Sequence, residues 1–155
     1  QAELEARFAS RQDALDGFLG AGYALHVVAK VAVMAESADL QKAVGSGDGA
    51  WFASGDGRGR GQLRALDGSM VDPDRHDSFV PTVYLYDNYP GGMGQSEPLW
   101  KRQRELVVRA RELVERCDCR AGCPACVGPV LAAQEDEETT PKALALRVLG
   151  ALEAA

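Results

Sequence analysis

Apolar residues recur at helical spacing through the first part of the chain, from Leu4 and Phe8 onward. This periodicity predicts helix from Glu3 to about Val44. Gly17, Gly20 and Gly22 interrupt the pattern, so we predict that they divide it into two helices.

Residues 45–78 differ because glycine is frequent and apolar residues are scattered. Only short pieces such as Ala50–Ser54 resemble strands, so the pattern predicts a Gly-rich loop region or an irregular hairpin. Arg58, Arg60 and Arg64 add a small basic patch there, which we interpret as part of a solvated loop.

The best strand signal follows at Phe79–Tyr86, where valines and aromatic residues alternate up to Asp87. After a glycine loop at residues 91–94, Ser96 and Pro98 suit the start of a long helix. One apolar stripe runs along that helix and reaches the first cysteine of the chain. The stripe consists of Leu99, Trp100, Leu106, Val107, Ala110, Leu113, Val114 and Cys117.

An acidic run at residues 134–138 separates this region from a last helix, which Thr140 and Pro141 are suited to start. The pattern as a whole predicts an α+β, or small α/β, fold with a small sheet and at least four packed helices. With 155 residues and 46% hydrophobic residues, residues 1–155 are expected to form a single domain.

Charge limits the partners that the chain can bind with its whole surface. The formal net charge is −6, which argues against nucleic-acid binding by every face. A local basic stripe is still compatible with this charge, and the long helix provides one. We predict it as a contact for DNA, or alternatively as a docking surface for another domain; its residues are Lys101, Arg102, Arg104, Arg109 and Arg111.

Location follows from two further observations. No run approaches 18 apolar residues, so we expect no membrane span, and no secretory signal follows Gln1. All four cysteines lie between Cys117 and Cys126, which favours a metal site over a disulfide framework. Thiols kept as metal ligands must stay reduced, so a cytoplasmic location is expected.

The cysteines have the spacing C-x-C-x3-C-x2-C over residues 117–126. A loop turned by Gly122 and Pro124 is able to wrap four thiolates around one Zn²⁺, and an iron–sulfur cluster is the alternative cofactor. A complete thiolate shell leaves no position for water, so the metal is expected to be structural. The predicted ligands of this zinc knuckle are Cys117, Cys119, Cys123 and Cys126.

Other polar residues suggest an alternative function. Asp87 ends the strand, and His76 lies in a loop with Asp72, Asp74 and Asp77, so a free-standing metal-dependent hydrolase is conceivable. Turn capping is the more common role for Asp87, and His26 lies among apolar residues as a core histidine would. The glycine loop lacks the lysine that follows in phosphate-binding loops, so a tight turn explains it.

Three segments together resemble a known family. Residues 86–94 read Tyr-Asp-Asn-Tyr-Pro-Gly-Gly-Met-Gly, a helix follows, and residues 117–127 form the cysteine knuckle with Val127. In this order they resemble the zinc-binding domain at the C-terminus of MrfA-type (YprA-like) DEAD/DEAH-box helicases. Leu25-His26 and Asp39-Leu40 are weaker matches, and after Gly128 the tail departs from that of some relatives.

The resemblance implies that the chain is a non-catalytic zinc module of a superfamily 2 ATP-dependent DNA helicase, acting in DNA repair or genome defence. Its implied partners are the motor domains of the same polypeptide and DNA, expected to be single-stranded. The chain has no G-x-x-x-x-G-K-[ST] segment, so we do not expect it to be an enzyme by itself. ATP binding is expected of the parent protein.

Overall fold

In the computed structural model, residues 7–36, 38–55, 61–75, 79–129 and 139–155 are described. These ranges contain four α-helices and one five-stranded sheet. The helices are α1 (Arg11–Val33), α2 (Ser96–Lys101), α3 (Gln103–Glu115) and α4 (Pro141–Ala154). The strands are β1 (Leu40–Ser46), β2 (Trp51–Gly55), β3 (Gly61–Ala65), β4 (Met70–Val71) and β5 (Pro81–Asp87). The α+β prediction is confirmed.

The sheet is antiparallel throughout, with the strand order β4-β3-β2-β1-β5. Helix α1 packs on one face of it, and α4 packs against both α1 and α3. Gly22 of α1 lies 3.4–3.5 Å, measured from an ideal Cβ position, from methyl groups of Val44 and Val83, so the helix approaches β1 and β5 closely. The core lies between this face and the helices.

Residues 3–6 and 37 lie outside the described residues, and over the rest of the range 3–44 the prediction of two helices is wrong. One helix runs without a break from Arg11 to Val33, and Leu40–Ser46 is a strand. Gly17 and Gly20 face helix α4 instead of ending a helix, because a Cβ at Gly17 would lie only 2.8 Å from the carbonyl oxygen of Leu144. Small residues at these positions let two helices approach, which offsets their low helix propensity.

The interpretation of residues 45–78 as a loop is wrong for the three strands inside this range. The alternative of a hairpin agrees with the β2–β3 pair, and the strand-like piece predicted at Ala50–Ser54 is observed as β2. β2 and β3 form a regular antiparallel pair, and Gly61 has no room for a side chain because Leu15 and Leu19 of α1 lie against it. Arg58, Arg60 and His76 lie outside the described residues. Interior contacts, not turns, therefore account for two of these glycines, Gly45 and Gly61.

The strand before Asp87 and the cap of the last helix are found close to where they are predicted, whereas the long helix differs in two respects. The strand predicted at Phe79–Tyr86 is observed at Pro81–Asp87, and Thr140 caps α4 by accepting a hydrogen bond from the Ala143 N–H. The helix predicted from Ser96 is divided at Arg102, whose φ and ψ are −107° and 13°. Trp100 does not belong to the buried stripe, since it is 71% exposed.

Candidate metal centre

The four cysteine sulfur atoms meet in one cluster directly after α3. Sγ of Cys117 lies 3.5 Å from that of Cys123, and Sγ of Cys126 lies 3.5 Å from that of Cys119 and 3.7 Å from that of Cys123. All four sulfur atoms lie within 4.8 Å of one another. Four sulfurs held about 2.3 Å from one ion in a regular tetrahedron would be roughly 3.8 Å apart. The cluster therefore has the size of a site for a single metal ion.

The backbone between the cysteines is folded tightly. The N–H groups of Cys126 and Val127 both donate to the carbonyl oxygen of Cys123 at 3.1 Å. Gly122 has a φ of +116°, and a Cβ at this position would lie 2.7 Å from Cγ2 of Val127. Only glycine combines this conformation with this contact. Gly122 therefore allows the tight turn that brings Cys117 and Cys119 close to Cys123 and Cys126.

Two side chains from distant parts of the sequence hold the knuckle against the core. Nζ of Lys142, in the first turn of α4, donates to the carbonyl oxygens of Cys117 at 2.6 Å and Cys119 at 3.0 Å. The hydroxyl of Tyr23 in α1 donates to the carbonyl oxygen of Pro124 at 2.6 Å. Sequence reasoning missed both residues, because their role depends on contacts between segments that no local motif announces.

The thiols differ in acidity before any ion binds. A backbone hydrogen bond from Ala125 lowers the pKa of Cys123 to about 7, whereas burial raises the pKa of Cys126 to about 12. Burial also raises the pKa of Cys119. A divalent cation favours the thiolate form, so loading the cluster releases protons.

Asp87 makes a structural contact in the described part of the chain, which does not include His76. Its Oδ2 accepts a hydrogen bond from the Ser96 hydroxyl at 3.2 Å and lies 3.0 Å from an ideal Cβ position at Gly92. The carboxylate therefore links the end of β5 to the glycine loop and the start of α2. Among the described residues, the cysteine cluster is the one group of three or more potential metal-ligating side chains close enough to share an ion.

His26 is a core histidine, as predicted. Its Nε2 donates to the carbonyl oxygen of Leu40 at 2.8 Å, and burial lowers its pKa below the usual value. The side chain therefore connects α1 to the first residue of β1 in its neutral form.

The basic residues of α2 and α3 are largely paired with glutamates. Nζ of Lys101 lies 2.6 Å from Glu97, and Arg102 contacts Glu105 through two hydrogen bonds of 2.9 Å and 3.0 Å. Arg109 shares Glu105 at 2.6 Å. Arg102 also lowers the pKa of Glu105.

Arg111 contacts Glu115 and, across to α4, Glu153, both at 2.7 Å. For Arg104, which is exposed, no ion pair is found within the described ranges. The positive field that the sequence predicts for this face is therefore mostly neutralised by carboxylates on the same surface.

The helices in the described part of the chain are too short or too polar to cross a lipid bilayer.

Comparisons with known proteins show two relatives that share short segments. The chain is 45% identical over 49 residues to the uncharacterized ATP-dependent helicase YprA of Bacillus subtilis (strain 168), which is 32% of this chain and 6% of that protein. It is 33% identical over 45 residues to an uncharacterized protein of Methanocaldococcus jannaschii, covering 29% of this chain and 40% of the relative. The matches therefore span less than half of either relative.

A solved structure shares the fold over most of the chain. The crystal structure of the DUF1998 helicase MrfA bound to DNA superposes with a TM-score of 0.60 at 24% identity, covering 92% of this chain and 15% of that protein. The profile of the MrfA Zn-binding domain matches residues 21–127, which include the C-terminal part of α1, the whole sheet and all four cysteines. On this match, the chain belongs to the MrfA Zn-binding domain family.

Proposed function

We propose that the chain is a structural, non-catalytic zinc-binding module of a superfamily 2 ATP-dependent DNA helicase. Residues 1–155 form its single domain, and Cys117, Cys119, Cys123 and Cys126 hold the ion. The observation that carries the proposal is the four-thiolate cluster, which is fastened to α1 by Tyr23 and to α4 by Lys142. An ion with four protein ligands has no open position for water, so it stabilises the fold instead of activating a nucleophile.

Zinc fits this cluster better than an iron–sulfur cluster does. Three of the separations between sulfur atoms, 3.5–3.7 Å, match the roughly 3.8 Å edge of a tetrahedron around one zinc ion. An iron–sulfur cluster places several iron atoms and inorganic sulfides between its cysteines, so it needs the thiolates to be farther apart. A single ion needs no such expansion.

The catalytic steps of the parent helicase are assigned to its motor domains. The similarity to YprA supports an ATP-dependent helicase as the parent, and the fold shared with MrfA supports DNA as its substrate. The module braces the motor or guides a single strand of DNA, in DNA repair or genome defence, in the cytoplasm. The motor domains of the same polypeptide and single-stranded DNA are its partners.

The basic surface of α2 and α3 binds DNA, and Arg104 is its central residue. Exposed ion pairs contribute only about 0–1 kcal/mol, so a phosphate group is able to compete for Lys101, Arg109 and Arg111. Arg102 would also have to give up its hydrogen bond of 3.0 Å to the carbonyl oxygen of Ala32. Arg104 is able to bind a phosphate without first breaking an ion pair with a described glutamate. In the parent helicase, Arg104→Glu should reduce DNA unwinding more than ATP hydrolysis. Equal loss of both would assign this surface to docking of the motor.

Metal analysis of the purified chain tests the central proposal. One zinc and no iron per chain is the expected result, and stoichiometric iron would contradict it. Cys123→Ser should lose the zinc and melt at a lower temperature, because structural zinc supplies about 10–16 kcal/mol of binding free energy in small zinc domains. The matched control is Asp118→Asn, an exposed knuckle residue, which should keep the zinc. An unchanged melting temperature for Cys123→Ser would exclude the structural role.

A further inference from the structure

Among the described elements, the helices leave one face of the sheet uncovered. The side chains of Val44 and Val83 point towards α1, and side chains alternate along a strand, so the residues between them point to the opposite side. We call this opposite side the open face. In the strand register, Phe52 of β2 lies beside Gly45 of β1, and Tyr84 of β5 lies beside Ala43. On the open face, the small residues Ala43 and Gly45 therefore lie between the aromatic residues Phe52 and Tyr84.

Of the three aromatic side chains on the open face, Phe52 and Tyr86 are exposed, and Phe52 and Tyr84 are held by neighbouring groups. A Cβ at Gly45 would lie 2.9 Å from Cδ1 of Phe52, so the Phe52 ring rests directly on this glycine and is still 41% exposed. Tyr86 is 44% exposed. The hydroxyl of Tyr84 donates to the carbonyl oxygen of Ser46 at 2.7 Å, which fixes the orientation of its ring. Flat rings held in place lose little conformational entropy when a ligand stacks on them.

The charge of the open face differs from that of the chain. The net charge of the sequence is −6, but the strand positions on this face include no Asp or Glu in β1 to β5. Their one charged side chain is Arg64, which lies next to Phe52 in the register, is exposed, and donates to the carbonyl oxygen of Gly68. A polyanion that binds to these strands would therefore be attracted by Arg64 and would not be repelled by a carboxylate on the same strand positions.

The polar residues of the open face argue against a second protein layer. A sheet covered by another sheet or a helix carries apolar residues at most inward positions. Here Ser54, Gln62 and Thr82 occupy positions among the aromatic residues. Amide and hydroxyl groups between aromatic rings instead suit a ligand that offers both flat rings and hydrogen-bonding edges, as an unpaired nucleobase does.

We infer that the open face binds single-stranded DNA, with bases stacked on Phe52 and Tyr86 and a phosphate near Arg64. This inference rests on the proposed function, which supplies DNA as the polymer. It names a site that is separate from the basic surface of α2 and α3, and that binds mainly through bases instead of phosphates. Duplex DNA is a poor ligand, because its bases are already stacked on one another.

The experiment measures binding of the zinc-loaded chain to a fluorescein-labelled oligothymidylate of about 20 nucleotides by fluorescence anisotropy. Tyr86→Leu and Phe52→Leu keep an apolar side chain but remove the aromatic ring. Each should raise the Kd by at least about fivefold, since stacking on one aromatic side chain is worth about 1–3 kcal/mol. Tyr86→Phe should bind as the parent does, because it keeps the ring.

Two controls separate stacking from other effects. Tyr89 is 49% exposed, about as much as Tyr86, but it lies beyond the end of β5. Tyr89→Leu therefore removes an exposed ring outside the open face and should not change the Kd. An abasic oligomer of the same length keeps the phosphates without the bases and should bind much more weakly. Melting curves identify any variant that fails to fold; Tyr86→Leu carries the test alone if Phe52→Leu is unstable.

Several outcomes would overturn the inference. These are no binding of the oligothymidylate, an unchanged Kd for Tyr86→Leu, or equal binding of the abasic oligomer. If Tyr86→Leu leaves DNA affinity unchanged but uncouples the parent helicase, the open face is a protein interface. All of these results leave the zinc module intact, because its zinc content and its place in a helicase are measured separately.

Discussion

Replacing Gly17 by alanine should destabilise the protein, although alanine is the better helix former. Gly17 lies where α1 crosses α4, and its missing side chain leaves room for the backbone of the other helix. An alanine Cβ would lie 2.8 Å from the carbonyl oxygen of Leu144 and 3.0 Å from Cγ2 of Val148. The first of these atoms belongs to a helix backbone and has no rotamer by which to move away.

The magnitude follows from two opposing contributions. Alanine is favoured over glycine by about 1 kcal/mol in a helix interior. Overpacking a close contact costs about 1–3 kcal/mol, and a backbone obstacle places Gly17 in the upper part of this range. We therefore expect the free energy of unfolding to fall by about 1–2 kcal/mol. For a chain of this size, that lowers the melting temperature by about 2–8 °C.

Gly150 provides a matched control in α4. No heavy atom outside its immediate chain environment lies within 4 Å of an ideal Cβ at this position, so Gly150→Ala should gain stability, up to about 1 kcal/mol. Thermal and urea denaturation of both variants measure the two effects in the same protein. If Gly17→Ala proves as stable as the parent, or more stable, the explanation of Gly17 as a packing contact is wrong.

Three further predictions concern polar contacts. Lys142→Met should lower stability by about 2 kcal/mol and speed the loss of metal to a chelator, because it removes two hydrogen bonds from a charged group to the knuckle; the exposed Lys101→Met should do neither. Burial lowers the pKa of His26, so the unfolded chain binds its proton first as the pH falls and stability is lost below about pH 6.5. His26→Gln should remove this share of the pH dependence, seen as a smaller difference between urea midpoints at about pH 7.5 and 5.5. The Gly61 N–H donates a hydrogen bond of 2.7 Å to the Asp16 carboxylate, and Asp16→Ala removes this acceptor. The free energy of unfolding measured by urea denaturation should therefore fall by about 1–3 kcal/mol.

The features that the sequence predicts correctly are those with local causes. The cysteine spacing, the strand before Asp87 and the Thr140 cap each depend on residues close in the chain. Their chemistry is the same in any surroundings, so a short motif is enough to identify them. The resemblance to the MrfA family rests on such segments too, and the family match extends it over the fold.

The features that sequence reasoning misses depend on contacts between distant segments. A glycine that ends a helix and a glycine that admits a neighbouring helix look alike in sequence, and Gly17 is the second kind. The short glycine-containing strands become stable only as parts of a five-stranded sheet. The basic surface is different, because most of its partners (Glu97, Glu105 and Glu115) lie three or four residues away on the same helices, and only Glu153 comes from a distant segment.

The position of the four cysteines also bears on how the protein folds. All of them lie within residues 117–126, whereas pairing β1 with β5 joins residues about 40 positions apart, as for Val44 and Val83. Short loops close quickly and at low entropic cost, and long ones close later. A chain that is otherwise still unfolded is therefore able to capture its ion first. The loaded knuckle would then present a rigid surface on which Tyr23 and Lys142 assemble, and the pairing of distant strands would be the slower step that follows.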